Sequence, residues 1–288
     1  MSDWYQIENS YFTVQLTSLG AEMKRLFSKP WNRELLWNPQ DENSKRLWNR
    51  SAPVLFPIVG KLKNDSYEWG GKTYQLNQHG FARDMEFKCI ECGASEATFR
   101  LEATKESYAR YPFLFQLDVI YSLDGKRLNI IYVVKNVDRQ DIYFSIGAHP
   151  GFATTQLEDY EIHFEKKERG FFQLENGLVN WKNLTALPET VITPTRETFA
   201  NDALILKDVK SRFFDLINKR RHETIRVHGT NTPFLGIWGK ESVPFICVEP
   251  WYGVGDDLLT DQKLEGKIGV QTLSEGGTFR FAYGIELI

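Results

Sequence analysis

The sequence predicts an all-β fold: a large antiparallel β-sandwich with few short helices, built from two curved sheets packed face to face. Three observations carry this. Short apolar/polar alternations recur along the chain and are punctuated by turn residues. Aromatic residues make up 14% of the 288 positions, and many fall inside these alternations, where strand propensity favours them. Helical periodicity is scarce, and many strands with few helices point to a sandwich or barrel.

The elements follow in order. Tyr11–Leu16 alternates, and Tyr67–Tyr74 reads as a hairpin around Gly70-Gly71. Phe99–Ala103 alternates again. Glu106–Tyr111 forms a helical turn that Pro112 ends. Phe115–Tyr121 and Leu128–Val134 flank Asp124-Gly125, a pair suited to hairpin turns. A strand over Tyr143–Ile146 is followed by runs at Tyr160–Phe164, Phe171–Leu174, Ala203–Leu206 and Phe213–Ile217. Further runs lie at Thr224–Val227, Phe234–Trp238, Phe245–Val248 and Thr278–Leu287. No Gly/Ser- or Pro-rich linker divides the chain and no fixed-period repeat is present, so residues 1–288 are expected to form a single domain.

Composition excludes several function classes. A formal net charge of −3 without a basic block argues against nucleic acid as a partner. The basic residues at Lys207, Lys210 and Arg212, and at Lys219-Arg220-Arg221, read as solvated strand ends and turns. No apolar stretch approaches the ~20 residues of a spanning helix, so no membrane partner is expected. Met1–Tyr5 lacks the pattern of a signal peptide. Three cysteines, Cys89, Cys92 and Cys247, are too few for a disulfide scaffold, and a cytoplasmic location is expected. Cys89 and Cys92 have half-zinc spacing, but no second pair accompanies them and their setting is a hairpin, which reads as structural. No metal and no cofactor are expected, since zinc spacing, phosphate loop, dinucleotide fingerprint and nucleophile elbow are all missing from the sequence.

The chemistry left is cofactor-free acid/base work or binding alone. His149, in Gly147-Ala148-His149-Pro150-Gly151-Phe152, follows a strand where glycine and proline force a change of direction that would expose the imidazole. A neighbouring carboxylate would raise its pKa and make it a general acid near neutral pH; the alternative is a hydrogen-bonded turn histidine. Glu249 closes the run Phe245–Val248 and precedes Pro250-Trp251-Tyr252, a setting for a general base at the rim of a concave sheet or for an exposed acid beginning a loop. Trp251 or Tyr252 would shape the pocket. His79, in a turn with Gly80, could donate to a substrate oxygen, and Arg83 could face an anionic group. His163, His222 and His228 read as structural or surface residues.

Five segments in this order resemble the aldose 1-epimerase (mutarotase) family, most closely its LacX-like branch. They are Phe56–Leu62, His79–Arg83, Gly147–Phe152, Asn201–Leu204 and Val248–Trp251. The resemblance implies a galactose mutarotase-like sandwich with a sugar on its concave face. It implies His149 as general acid, Glu249 as general base, His79 as a substrate-binding group and Asp202 as a substrate-binding carboxylate. Lys61 stands where many members carry arginine, and a lysine is a point donor without the planar fork. The partner implied is a small-molecule sugar, a hexose or a hexose phosphate; the oligomeric state is not implied. A hexose-6-phosphate 1-epimerase, with Arg83 facing the phosphate, and a non-catalytic carbohydrate-binding protein are the alternatives.

Overall fold

The computed structural model describes residues 2–39, 41–195, 197–240 and 243–288. Two large antiparallel sheets dominate. One has nine strands in the order Val191–Ile192, Tyr160–Phe164, Phe213–Asn218, Glu223–His228, Thr278–Leu287, Arg127–Asn136, Phe115–Asp124, Glu96–Glu102 and Lys88–Cys92. The other has eight, and its centre runs Leu204–Lys207, Phe234–Lys240, Val243–Tyr252 and Ile146–Ala148, with Gly151–Ala153 also paired to Val243–Tyr252. Both sheets feed one apolar core: Leu117, Val119, Ile130 and Phe281 come from the first, and Leu235, Ile237, Ile246 and Val248 from the second. A smaller four-stranded sheet is formed by the N-terminal residues.

The expected turns form for the expected reasons. Trp69 pairs with Lys72, leaving Gly70-Gly71 as a two-residue turn. Asp124 pairs with Arg127, so the central turn residues are Gly125 and Lys126. The helical turn is the α-helix Lys105–Arg110, capped by Thr104 and stopped before Pro112. A second short α-helix, Glu42–Leu47, is capped by Asp41 and carries the chain to Trp48. The strand expected over Tyr143–Ile146 is broken at Ser145: Ile142–Phe144 pairs with Gln271–Leu273, and Ile146–Ala148 joins the eight-stranded sheet. Among the described residues no helix is long and apolar enough to cross a membrane.

The eight-stranded sheet is apolar on both faces, and this positions the site. Along Val243–Tyr252, Ile246 and Val248 face the sandwich core, while Cys247, Glu249 and Trp251 alternate onto the opposite face. Gly147 and Gly236 on the flanking strands leave the room the Trp251 indole needs. A Cβ at either would lie 2.4 Å from its ring.

Candidate active site

The strand Val243–Tyr252 does not end at Glu249, as its sequence suggests, but continues through Pro250 to Tyr252. Pro250 is accommodated by a gap in the ladder. On this side Trp251 pairs with Gly147 and Cys247 with Gly151, and His149-Pro150 leaves the sheet between them. The missing proline N–H therefore has no partner to lose there. The flanking register places His149 opposite Glu249, on the same face of the sheet. Glu249 is 1% exposed, so the exposed-acid alternative does not describe it, and His149 is 7% exposed, so the imidazole is buried and not exposed as its Gly/Pro flanks suggested. His149 Nδ1 lies 3.2 Å from Glu249 Oε2, close but without the alignment of a hydrogen bond; both atoms are buried and otherwise unpartnered.

His79 enters from the other side. Its φ of +67° belongs to a left-handed turn, and Gly80 follows with a Cβ position only 2.3 Å from Phe56 O, so only glycine fits there. The Gly60 N–H donates to His79 Nδ1 at 3.1 Å. With Nδ1 accepting, the proton of the neutral ring sits on Nε2. The His79 and His149 rings stand 5.4 Å apart, edge to face.

Seven of the residues singled out from the sequence line one cavity of about 340 Å³: His149, Glu249, His79, Lys61, Arg83, Asp202 and Trp251. This lies within the range of small-molecule pockets, ~300–1,000 Å³. Trp251 forms part of the wall, 4% exposed, with its indole N–H donated to Ala148 O at 3.1 Å. Tyr252 alternates away and packs on Phe279 and Phe281. Arg83 donates to Gln78 O at 2.7 Å and comes within 3.9 Å of Asp84, and its Nε is buried without a partner. Asp202 is exposed at the cavity mouth.

Sequence reasoning missed Trp48, Gln78 and the functional place of Trp238, which line the same cavity. Trp48 tilts over His149 with ring centroids 5.2 Å apart, and Trp238 meets the imidazole edge to face at 5.7 Å. Trp48 reaches the site because Gly151 has no side chain; a Cβ there would lie 2.5 Å from the indole. The remaining histidines are elsewhere: His163 pairs with Glu161 and His228 with Glu286, and His222 lies in a turn. The basic residues Arg212, Lys219 and Arg220 pair with Glu165, Glu161 and Asp159.

Burial sets the protonation of the pair, and its direction for His149 is opposite to the sequence-based expectation. Burial, helped by the Arg83 charge, pushes the His149 imidazole down to about 3. Burial, helped by the Asp202 charge, pushes the Glu249 carboxyl well above the usual carboxylate range. His79 is likewise held well below the usual imidazole value by burial and then by His149 and Arg83. The expectation considered only the neighbouring carboxylate; loss of solvation outweighs it. The fold also brings Cys247 to the pair, so that three ligand-type atoms lie within 4.8 Å of one another. Burial raises both the thiol and the carboxyl, which opposes the deprotonated forms a metal ligand set requires.

Comparison with known proteins agrees with this architecture. The family model described as aldose 1-epimerase matches residues 3–253. The plasmid-borne protein LacX of Lactococcus lactis subsp. lactis is 31% identical, over 98% of this chain and 99% of its own. The solved structure of a galactose mutarotase related enzyme from Lactobacillus acidophilus superposes with a TM-score of 0.94 at 31% identity, covering 99% of this chain and 97% of that one. A galactose mutarotase-like protein from Lactobacillus casei ATCC 334 gives 0.90 at 30% identity, covering 99% of this chain and 100% of that one. The chain belongs to the aldose 1-epimerase family.

Proposed function

We propose that this protein is a cofactor-independent aldose 1-epimerase that interconverts the α and β anomers of a hexose. The observation that carries the reading is the buried His149–Glu249 pair, 3.2 Å apart in a cavity that His79 also enters. With His149 neutral and Glu249 protonated, the empty pair holds one proton. Moving it from Oε2 to Nδ1 gives a carboxylate and an imidazolium, the forms the reaction uses. Glu249 then takes the anomeric hydroxyl proton while His149 protonates the ring oxygen. The C1–O5 bond breaks as the C1 carbonyl forms. Rotation about C1–C2 presents the other carbonyl face, and closure reverses both transfers. His79 donates through Nε2 to a substrate oxygen, and Asp202 accepts from a hydroxyl at the mouth. Each positioned proton transfer typically contributes ~10²–10⁴-fold.

A second reading, a hexose-6-phosphate 1-epimerase, is favoured by one observation. Lys61 and Arg83 line the same cavity, and among the described residues Lys61 makes no ion pair. Against it stand the carboxyls of Asp202 and Glu249 in that space. A non-catalytic binder would not need an acid and a base left unpartnered in a buried site. The three unpaired cysteines support a cytoplasmic location, and we treat residues 1–288 as one domain. Polarimetry of freshly dissolved α-anomers, free and 6-phosphorylated, tests the reading. No acceleration over the buffer rate with either class would leave only binding.

A further inference from the structure

A buried charge pair lies beside the cavity and takes no part in the chemistry above. Lys267 Nζ is 2.7 Å from Asp256 Oδ1, and the two side chains are 4% and 3% exposed. Such a pair is a poor source of stability, because desolvation of both charges offsets their attraction. Its remaining contacts give it another use. Asp256 Oδ2 accepts from the Lys63 N–H at 3.0 Å. The Asp256 N–H donates to Lys61 O, and its carbonyl accepts from the Val179 N–H, both at 2.8 Å. Asp256 thus ties together three segments that wall the cavity: the Gly60–Lys63 stretch, the Val254–Asp256 stretch and the strand Leu178–Ala186.

The first two segments meet backbone to backbone. A Cβ on Gly60 would lie 2.5 Å from Gly255 Cα. Gly60 in turn holds His79 twice, by its N–H to Nδ1 at 3.1 Å and by its carbonyl to the His79 N–H at 2.9 Å. Any slip of Gly60–Lys63 against Val254–Asp256 therefore moves the backbone N–H that donates to His79 Nδ1, while the Gln78 side-chain amide lies 3.3 Å from Nε2. Such a slip also moves the backbone from which Lys61 reaches the cavity.

We propose that Asp256, neutralised by Lys267, is a positioning residue that holds Gly60 where it keeps His79 in the Nε2–H form, with its donor directed at the substrate. The pair acts through His79 and Lys61 and touches no reacting atom. The kinetic part of this inference rests on the cavity being the sugar site; the tautomer part does not.

The test is nitrogen NMR of the histidine rings in labelled protein, with His79 assigned through His79→Gln. The parental His79 is expected to carry its proton on Nε2. In Lys267→Met, and in the isosteric Asp256→Asn, the Nδ1–H form is expected to appear. KM for the sugar should rise with little change in kcat, and kcat/KM should fall about 100-fold, the size of a misplacement near 1 Å. Arg226→Ala breaks the Arg226–Asp215 pair on the nine-stranded sheet, away from the cavity, and serves as the control for lowered stability alone. It is expected to leave KM and the His79 tautomer as in the parent. An Nδ1–H tautomer in the parental protein overturns the proposal whatever the variants do. So does retention of the parental tautomer and KM in both Lys267→Met and Asp256→Asn, or an equal rise of KM in Arg226→Ala. A protein without epimerase activity that shows the tautomer change would remove the function and leave the positioning role standing.

Discussion

Replacing one member of the His149–Glu249 pair at a time should give the folded protein opposite dependences on pH. Consider pH 4.5 to 6.5, the interval between the ordinary values of the two groups. In the unfolded chain the histidine is protonated there and the glutamate is not, so the two groups hold one proton. In the folded chain the imidazole, pushed down to about 3, is neutral, and below its own raised value the carboxyl keeps its proton, so there they again hold one. Equal proton numbers give no slope, and the pair is silent in the parental stability curve. Glu249→Gln leaves His149, whose lowered folded value means that unfolding takes up a proton. Stability should then fall as pH falls through this window, by about 1.4 kcal/mol per unit relative to the parent. His149→Asn leaves Glu249, whose raised folded value means that unfolding releases a proton. Stability should then fall as pH rises from 4.5 toward that folded value, by about the same amount per unit. The two variants therefore diverge, by ~1.4 kcal/mol per pH unit in each direction for as long as the pH stays below the folded value of Glu249. His79 adds one further loss toward low pH to all three proteins, set mainly by its burial and somewhat smaller in His149→Asn, where the His149 charge no longer opposes its protonation. Urea denaturation at half-unit steps measures this. Parallel curves for the two variants would refute the assignment of one proton to a buried neutral pair.

Three further outcomes are expected. His149→Asn and Glu249→Gln should each slow anomer interconversion by ~10²–10⁴-fold by polarimetry without unfolding the protein at neutral pH; near-parental activity in either removes it from the acid/base pair. Activity should persist in EDTA and after treatment with a thiol reagent, since the Cys247 thiol is fully buried and pushed well up by that burial; loss in EDTA restored by one metal ion would contradict a cofactor-free site. Arg83→Ala should lower stability and affect free hexose and hexose 6-phosphate alike, because Arg83 already holds the Gln78 carbonyl; a parental preference for the phosphate that collapses in this variant would establish the second reading instead.

How much of this site was legible in the sequence depends on whether the signal was local. His149 is flanked by glycine and proline because the chain leaves the sheet there, and that signature is visible in four consecutive residues. The strand run before Glu249 is equally visible, but the proline after it suggested a strand end, and only the gap opposite Pro250 shows why the strand continues. Alternation assigned Trp251 to the cavity once the face of Glu249 was known, and Tyr252 to the other. Trp48 left no local trace, because its role comes from a helix of six residues outside the sheets and from an empty position at Gly151. Asp256 and Lys267 were invisible for the same reason. The direction of the His149 shift depends on burial from several elements at once, which a sequence window does not report.

The gap opposite Pro250 connects the fold to the chemistry. The register on either side of the gap, Gly147 with Trp251 and Gly151 with Cys247, sets His149 opposite Glu249 on the same face of the sheet. An ordinary loop would have exposed it to water, where its ordinary basicity returns. Leaving the sheet for two residues between paired neighbours places the ring beside Glu249 while Trp48, Trp238 and Trp251 still enclose the site. Enclosure pushes both groups toward their neutral forms, and on the proposed function the neutral pair holds the single proton that ring opening would use. On that reading an entering sugar would replace the missing water as the hydrogen-bond partner of both groups.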